Sequence, residues 1–334
     1  MQEAAEATQG IHPWVAAGLQ RVRAGVLIAG PQPDWEQYHE CAQLAEELGL
    51  DSMWVADHPL ILGDCWTKLA ALAVTTRRIR LGSLVSCVYY RNPVLLAQMA
   101  ADVDRWSGGR LVLGLGIGDQ PGEFAQLGLP FPTTRERQQA LEETIQVVRG
   151  VSGTTPFTYK GTYARAEQGR IPFAPAQQPY VPLLVGGGGE RVTLRQVAHY
   201  ADAANFGPHV HSGSASSVED VVRKYNALRV YCQTFGRPVD AVLRTHLTLP
   251  LVLGETKSAI ADKQEAVSPG FREAVRSGIF EGTPSEAVTH YEALIRAGVQ
   301  YLIVAIWYDD LETLRLFGLH VLPALAGSAG REQV

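Results

Sequence analysis

The sequence predicts an α/β protein of the (β/α)8 TIM-barrel type, on three observations. Short apolar runs alternate with amphipathic stretches along most of the chain, eight such runs can be counted, and no shift in composition marks a domain boundary. Eight units in roughly 300 residues suit a barrel with insertions, placed here after the fourth strand and before the fifth. A doubly wound open sheet is the alternative.

The first strand is Arg23 to Ala29, after a tail over residues 1–20 that is expected to be flexible and carries no signal-peptide pattern; the barrel domain is set at 21–330. Trp35 to Leu48 has helical spacing and ends at Gly49. Ser52 to Ala56 is the second strand and leads directly into Asp57-His58. Cys65 to Thr75 is the next helix, and Ile79 to Val85 the third strand. Asn92-Pro93 then supplies a capping side chain and a proline at the first helical position. Leu95, Met99, Val103 and Trp106 mark that helix, Gly108-Gly109 ends it, and Leu111 to Leu115 is the fourth strand.

Residues 119–134 read as a loop and Arg135 to Arg149 as a helix. Residues 150–180 are rich in Gly and Pro, which suggests an inserted hairpin or a lid. Val181 to Val185 and Asp202 to Phe206 are strands five and six, separated by a helix marked by Leu194 and Val197. Val218 to Phe235 is helical, Ala241 to Leu253 a long strand, and 255–282 a poorly patterned helical stretch. Thr283-Pro284-Ser285-Glu286 is a capping box, Val299 to Ile306 the last strand, and Asp309 the expected cap of the closing helix.

A net charge of −5 gives no reason to expect a nucleic-acid partner, and no apolar run is long enough to span a bilayer. Cys41, Cys65, Cys87 and Cys232 form no CxxC pair, so reduced thiols in a cytoplasmic protein are expected. No HExxH, GxSxG, GKS or clustered Cys/His pattern is present, so no metal site is expected. Asp57 and His58 follow a strand on the face where barrels carry their sites, and histidine exchanges protons near neutral pH. Gly186 to Gly189 joins a strand to a helix, an arrangement that lets amides approach a phosphate; Glu190 opposes that charge and Arg191 offsets it. Gly114, Gly116 and Gly118 mimic a dinucleotide fingerprint, but no helix starts directly after them. Asp119 and Glu123 follow the fourth strand, where either could hold substrate or steer a proton. Tyr89, Tyr90, Trp307 and Tyr308 are candidates for the pocket wall or for aromatic core packing.

LGSLVSCVYYRNPVLLAQMAADVDRWSGGRLVLGLGIG resembles the core signature of the bacterial-luciferase-like superfamily, as do WVADH, PYVPLLVGGGGERVTLRQVAHYADAANF and GTPSEAVTHYEALIRAGVQYLIV. The resemblance runs over nearly all of residues 23–325 and is greatest to the branch using the deazaflavin coenzyme F420 instead of FMN. It implies a barrel enzyme that transfers a hydride between the deazaflavin C5 and a small organic substrate. It also implies a homodimer. Asp57 and His58 match coenzyme and proton-transfer positions, and Leu84-Val85, beside Ser86, matches a non-proline cis peptide behind the coenzyme ring. Gly116 and Gly118 would line the site, while Gly187, Gly188 and Gly189, with Glu190 and Arg191, match a phosphate-binding turn. Asp119 stands where some relatives carry a glutamate acting on substrate. An FMN-dependent monooxygenase and a non-catalytic flavin-binding barrel are the alternatives.

Overall fold

The computed structural model describes residues 10–30, 34–208, 214–266, 272 and 278–328. Among them, eight parallel strands close into a barrel: β1 (Arg23–Ala29), β2 (Ser52–Val55), β3 (Arg80–Ser83), β4 (Leu111–Gly116), β5 (Leu183–Gly186), β6 (Ala203–Phe206), β7 (Leu243–Thr248) and β8 (Tyr301–Trp307). Val26 of β1 lies opposite Met53 of β2 and Val304 of β8, which closes the ring. A two-residue strand, Ser86–Cys87, continues beside the end of β4.

Each strand is covered on both faces, so it reads as a continuous apolar run rather than an alternation. In β8, Leu302, Val304 and Ile306 pack outward with the helices, while Tyr301, Ile303, Ala305 and Trp307 pack inward with Leu27, Trp54, Val112 and Leu184. Trp54 fits inside because its neighbours have no side chain: a Cβ on Gly82 would meet its Cε3 at 2.3 Å.

Part of the tail expected over 1–20 is helical. Residues 1–9 lie outside the described residues, but Pro13–Leu19 is a helix with Trp14 only 1% exposed. His12 caps it: Nδ1 accepts from the Trp14 N–H at 3.2 Å, and Nε2 donates to the Tyr180 carbonyl at 3.0 Å. Arg23 donates to the Trp14 carbonyl at 2.8 Å, so the helix packs against the start of β1. Trp14 also meets the ring of Tyr301, the first residue of β8, edge-on at 6.2 Å.

Asn92 caps helix Pro93–Trp106 through the Val94 N–H at 2.9 Å, and the Thr283–Glu286 capping box is formed. Asp310, not Asp309, caps the closing helix, accepting from the Thr313 N–H at 3.0 Å. The segment 119–134 contains a short helix, Pro121–Gln126. The stretch 150–180 contains an antiparallel hairpin, Phe157–Lys160 with Arg165–Gly169. The buried carboxylate of Glu143 holds its turn, accepting from the Thr162, Tyr163 and Ala164 amides at 3.2, 2.6 and 2.8 Å. The expected long strand 241–253 is interrupted at Leu249-Pro250, because proline cannot donate to a ladder. Its last part, Leu251–Leu253, pairs instead with Phe280–Gly282. Helix Lys257–Ala266 accounts for part of the helical stretch expected over 255–282; most of the rest lies outside the described residues.

Replacing Trp14 by Ala removes a fully buried indole and should cost about 3–5 kcal/mol. Denaturant unfolding checks this; a loss below about 1 kcal/mol would mean that the helix is only loosely attached.

Candidate active site

The carboxyl ends of six strands surround a cavity of about 710 Å³. That volume suits a cofactor with a small substrate. β2 contributes Asp57 and His58; the segment after β3 contributes Leu84, Val85, Cys87 and Tyr90; β4 leads into Gly116–Asp119; β5 leads into Gly186, Gly187 and Gly189. Asn205 and Phe206 of β6 and Leu247 of β7 complete the floor, and Phe131, Thr134, Arg137 and Gln138 line the outer wall.

Asp57 is 3% exposed, and both carboxylate oxygens are engaged. Arg91 donates to Oδ2 at 2.6 Å and to Oδ1 at 3.1 Å. Oδ2 also accepts from the Ser86 hydroxyl at 3.2 Å and the Cys87 amide at 3.0 Å. Arg91 reaches on to Asp64 at 2.7 Å, the cap of helix Cys65–Thr75, and Trp66 of that helix donates to Ser86 at 3.2 Å. Burial opposes the charge on Arg91, but its hydrogen bonds and ion pairs with Asp57 and Asp64 outweigh it and raise its pKa. The pair therefore locks two strand ends and a helix together.

His58 sits beside this clamp with Nδ1 at 2.8 Å from Oε2 of Glu123. Glu123 is 2% exposed; its Oε1 accepts from the Leu60 amide at 3.1 Å, and Oε2 accepts from the Tyr90 hydroxyl at 3.3 Å. Burial disfavours the charged ring of His58, yet the hydrogen bond and charge of Glu123, then Asp119 and Asp57, raise its pKa. Burial likewise works against the Glu123 carboxylate, but the His58, Leu60 and Tyr90 contacts hold it below the usual range. Asp119 lines the cavity and acts on His58 through its charge.

The Leu84-Val85 peptide is cis, in agreement with the expectation carried by the resemblance. The Val85 side chain projects against strand-end glycines: a Cβ on Gly116 would meet Val85 Cγ2 at 2.3 Å, and one on Gly186 would meet Cγ1 at 2.9 Å. Gly118 has φ +74° and accepts from Arg137 through its carbonyl. Arg137 also donates to the Pro132 carbonyl at 3.2 Å and lies over the Phe131 ring at 4.0 Å, which fixes the outer wall.

The glycine turn is only partly directed at the cavity. Gly187 (φ +122°) donates to the Asn205 carbonyl at 2.8 Å, and Lys224 donates to the Gly188 carbonyl at 2.6 Å. Glu190 turns to Arg223 at 2.9 Å and Lys224 at 3.6 Å. Gly188, Glu190 and Arg191 do not line the cavity, and Ser86 lies behind Asp57. Helix Thr193–Tyr200 begins after Val192, with no side-chain cap. Thr193 accepts from Gln138 at 2.9 Å where both border the cavity.

Of the four aromatic candidates, Tyr90 lines the cavity, whereas Tyr89 packs on Phe124, Trp307 packs inside the barrel and the half-buried Tyr308 packs against the core outside it. Sequence reading passed over Arg91, Arg137, Gln138, Thr193 and Asn205. Arg91 had a usable signal, an arginine before a helix cap at the strand end neighbouring Asp57. The others depend on long-range packing.

These features define a (β/α)8 barrel with a polar-and-apolar ligand site at the carboxyl ends of its strands. The profile of the luciferase-like monooxygenase family matches residues 15–303, and the chain belongs to that family. An F420-dependent glucose-6-phosphate dehydrogenase of Amycolatopsis mediterranei (strain U-32) is 30% identical over 320 residues, covering 86% of this chain and 93% of the relative. A 5,10-methylenetetrahydromethanopterin reductase of Archaeoglobus fulgidus is 24% identical, covering 88% and 97%. Among solved structures, the coenzyme F420-dependent tetrahydromethanopterin reductase from Methanopyrus kandleri superposes with a TM-score of 0.75 at 21% identity, covering 91% and 99%. An FMN-bound type II Baeyer–Villiger monooxygenase from Pseudomonas putida gives 0.72 at 18%, covering 91% and 98%. Both agree with the barrel fold.

Arg91→Ala leaves the Asp57 carboxylate buried without its cation and should cost about 3–5 kcal/mol. The double variant Asp57→Asn, Arg91→Ala should lose less than the sum of the two single changes. Strict additivity in denaturant unfolding would contradict the coupling.

Proposed function

We propose that this protein is a coenzyme F420-dependent oxidoreductase acting on a small organic substrate. The observation that carries the reading is the placement, in one cavity, of a histidine fixed by a buried carboxylate beside the Leu84-Val85 wall. The F420-dependent glucose-6-phosphate dehydrogenase named above supports the choice of coenzyme.

The residues present fit a deazaflavin. Val85, seated over Gly116 and Gly186, offers an apolar surface for a flat ring, and the missing side chains at those glycines leave it room. Gly187, Gly189 and Thr193 would hold the phosphate-bearing side chain at the start of the helix, with Gln138 beside them. When bound, the deazaflavin supplies hydride chemistry at its C5. The protein's own residues position the reactants, exclude water and manage the proton. His58 gives or takes that proton at Nε2, since Nδ1 is committed to Glu123. Asp119 sits on the same wall and adjusts the charge on His58; a direct proton step at Asp119 is the expectation carried by the resemblance. Asp57, at the cavity wall, acts by holding the backbone on both sides of the site. The segment 119–134 covers the substrate end through Pro121 and Phe131.

A cytoplasmic homodimer belongs to this reading; all four cysteines are unpaired, which suits a reducing compartment. No described helix is long and apolar enough to cross a membrane. An FMN-dependent monooxygenase is the second reading: a 4-hydroxyprotoasukamycin monooxygenase that is 28% identical over 235 residues favours the monooxygenase class, and FMN is the expectation carried by the resemblance.

Titration with each coenzyme separately distinguishes these readings. Saturable binding of F420 without comparable FMN binding is expected, and tight FMN binding with no response to F420 would overturn the proposal. His58→Ala should lower turnover by about 10²–10⁴-fold while leaving coenzyme affinity nearly unchanged. A variant with full turnover removes His58 from the proton step.

A further inference from the structure

We propose that Glu123 is the positioning residue of this site, fixing His58 with Nδ1–H toward its carboxylate and Nε2 toward the reactants. This rests on the reading of His58 as the proton carrier and adds the group that sets its tautomer.

The geometry is specific. Glu123 lies in the first turn of the short helix Pro121–Gln126, yet its side chain is buried. Three donors converge on its two oxygens: the His58 ring at 2.8 Å, the Leu60 amide at 3.1 Å and the Tyr90 hydroxyl at 3.3 Å. They come from the loops after two different strands, and Glu123 comes from the loop after a third. An ionised carboxylate only accepts hydrogen bonds, so the neutral imidazole must carry its proton on Nδ1. Nε2 is then a bare acceptor, the form a general base requires. After proton uptake the same nitrogen is the donor. The loop that follows His58 is turned so that the Ile61 and Leu62 amides donate to the His58 carbonyl at 3.0 and 2.7 Å, and the Leu60–Glu123 contact ties that turn to the same carboxylate.

The charges around the ring come from several elements. Glu123 and Asp119 face it from the segment after β4. Asp57 precedes it in the chain, with its charge met by Arg91, which is shared with Asp64. Tyr90 and Cys87 approach from the segment after β3 and share the cavity wall with His58. Glu123 hydrogen-bonds the ring at 2.8 Å, and it leads the influences that favour the imidazolium. Removing its charge should therefore lower the proton affinity of His58 more than removing Asp119.

The first test uses the unaltered protein without coenzyme. Nitrogen-15 NMR of the histidines, with His58 assigned by its absence in His58→Ala, should show the Nδ1–H tautomer above its titration midpoint. The Nε2–H tautomer would overturn the proposal. In Glu123→Gln the midpoint should fall by about one unit, a tenfold weaker proton affinity. Turnover should drop by about 10–100-fold with KM nearly unchanged. The corresponding limb of the pH–rate profile should move the same way, with Glu123→Asp restoring part of both. An unmoved midpoint in Glu123→Gln would assign Glu123 a purely structural role and sink the inference. Because the tautomer and midpoint are read without F420, absence of F420 turnover would refute the coenzyme reading and leave this test standing.

Discussion

The ion pair between Arg91 and Asp57 is the constraint on which the catalytic face depends. A carboxylate removed from water is costly unless its lone pairs are met, and here the guanidinium, a hydroxyl and a backbone amide meet them. The contacts bind the end of β2 to the segment after β3, and Asp64 and Trp66 extend the network to the next helix. His58 follows Asp57 directly, and Val85 is separated from Cys87 by one residue. Fixing Asp57 therefore fixes both His58, the proposed proton carrier, and the wall on which a ring would rest.

The remainder of the site is built by leaving atoms out and by closing one side. Gly116 and Gly186 lack the Cβ that would collide with Val85, so the valine side chain can stand in the cavity lining between them. Phe131 packs edge-on to Phe124 at 4.9 Å and under Arg137, and Arg137 is in turn tied to Gly118 at the end of β4. The outer wall is thus anchored to the strand that carries Asp119. Asp57 is ion-paired to Arg91, and the charges of Glu123, Asp119 and Asp57 all favour a cation at His58.

Much of the architecture was legible because parallel strands buried on both faces leave unbroken apolar runs, and capping residues punctuate the helices between them. The same double burial hides which side chains point inward. Trp54 and Val26 read alike, though one fills the barrel and the other packs under a helix. Pro13–Leu19 reads as tail in the sequence because a seven-residue helix has little periodicity to read; Trp14 is the available signal. Asp119 and Glu123 lie four positions apart and read alike from the residues alone, while the resemblance points to Asp119. The contact of Glu123 to His58 spans 65 residues, and no local pattern encodes it. Glu190 and Arg191 failed to reach the cavity for a similar reason: Arg223, from the following helix, draws Glu190 away.

The most direct measurement is a crystal structure of the protein soaked with coenzyme F420. The account predicts the deazaflavin ring against Leu84-Val85, its reactive edge toward His58, and its phosphate at the Gly187–Gly189 turn. A ring bound away from Val85, or a His58 with no access to the bound ring, would contradict it.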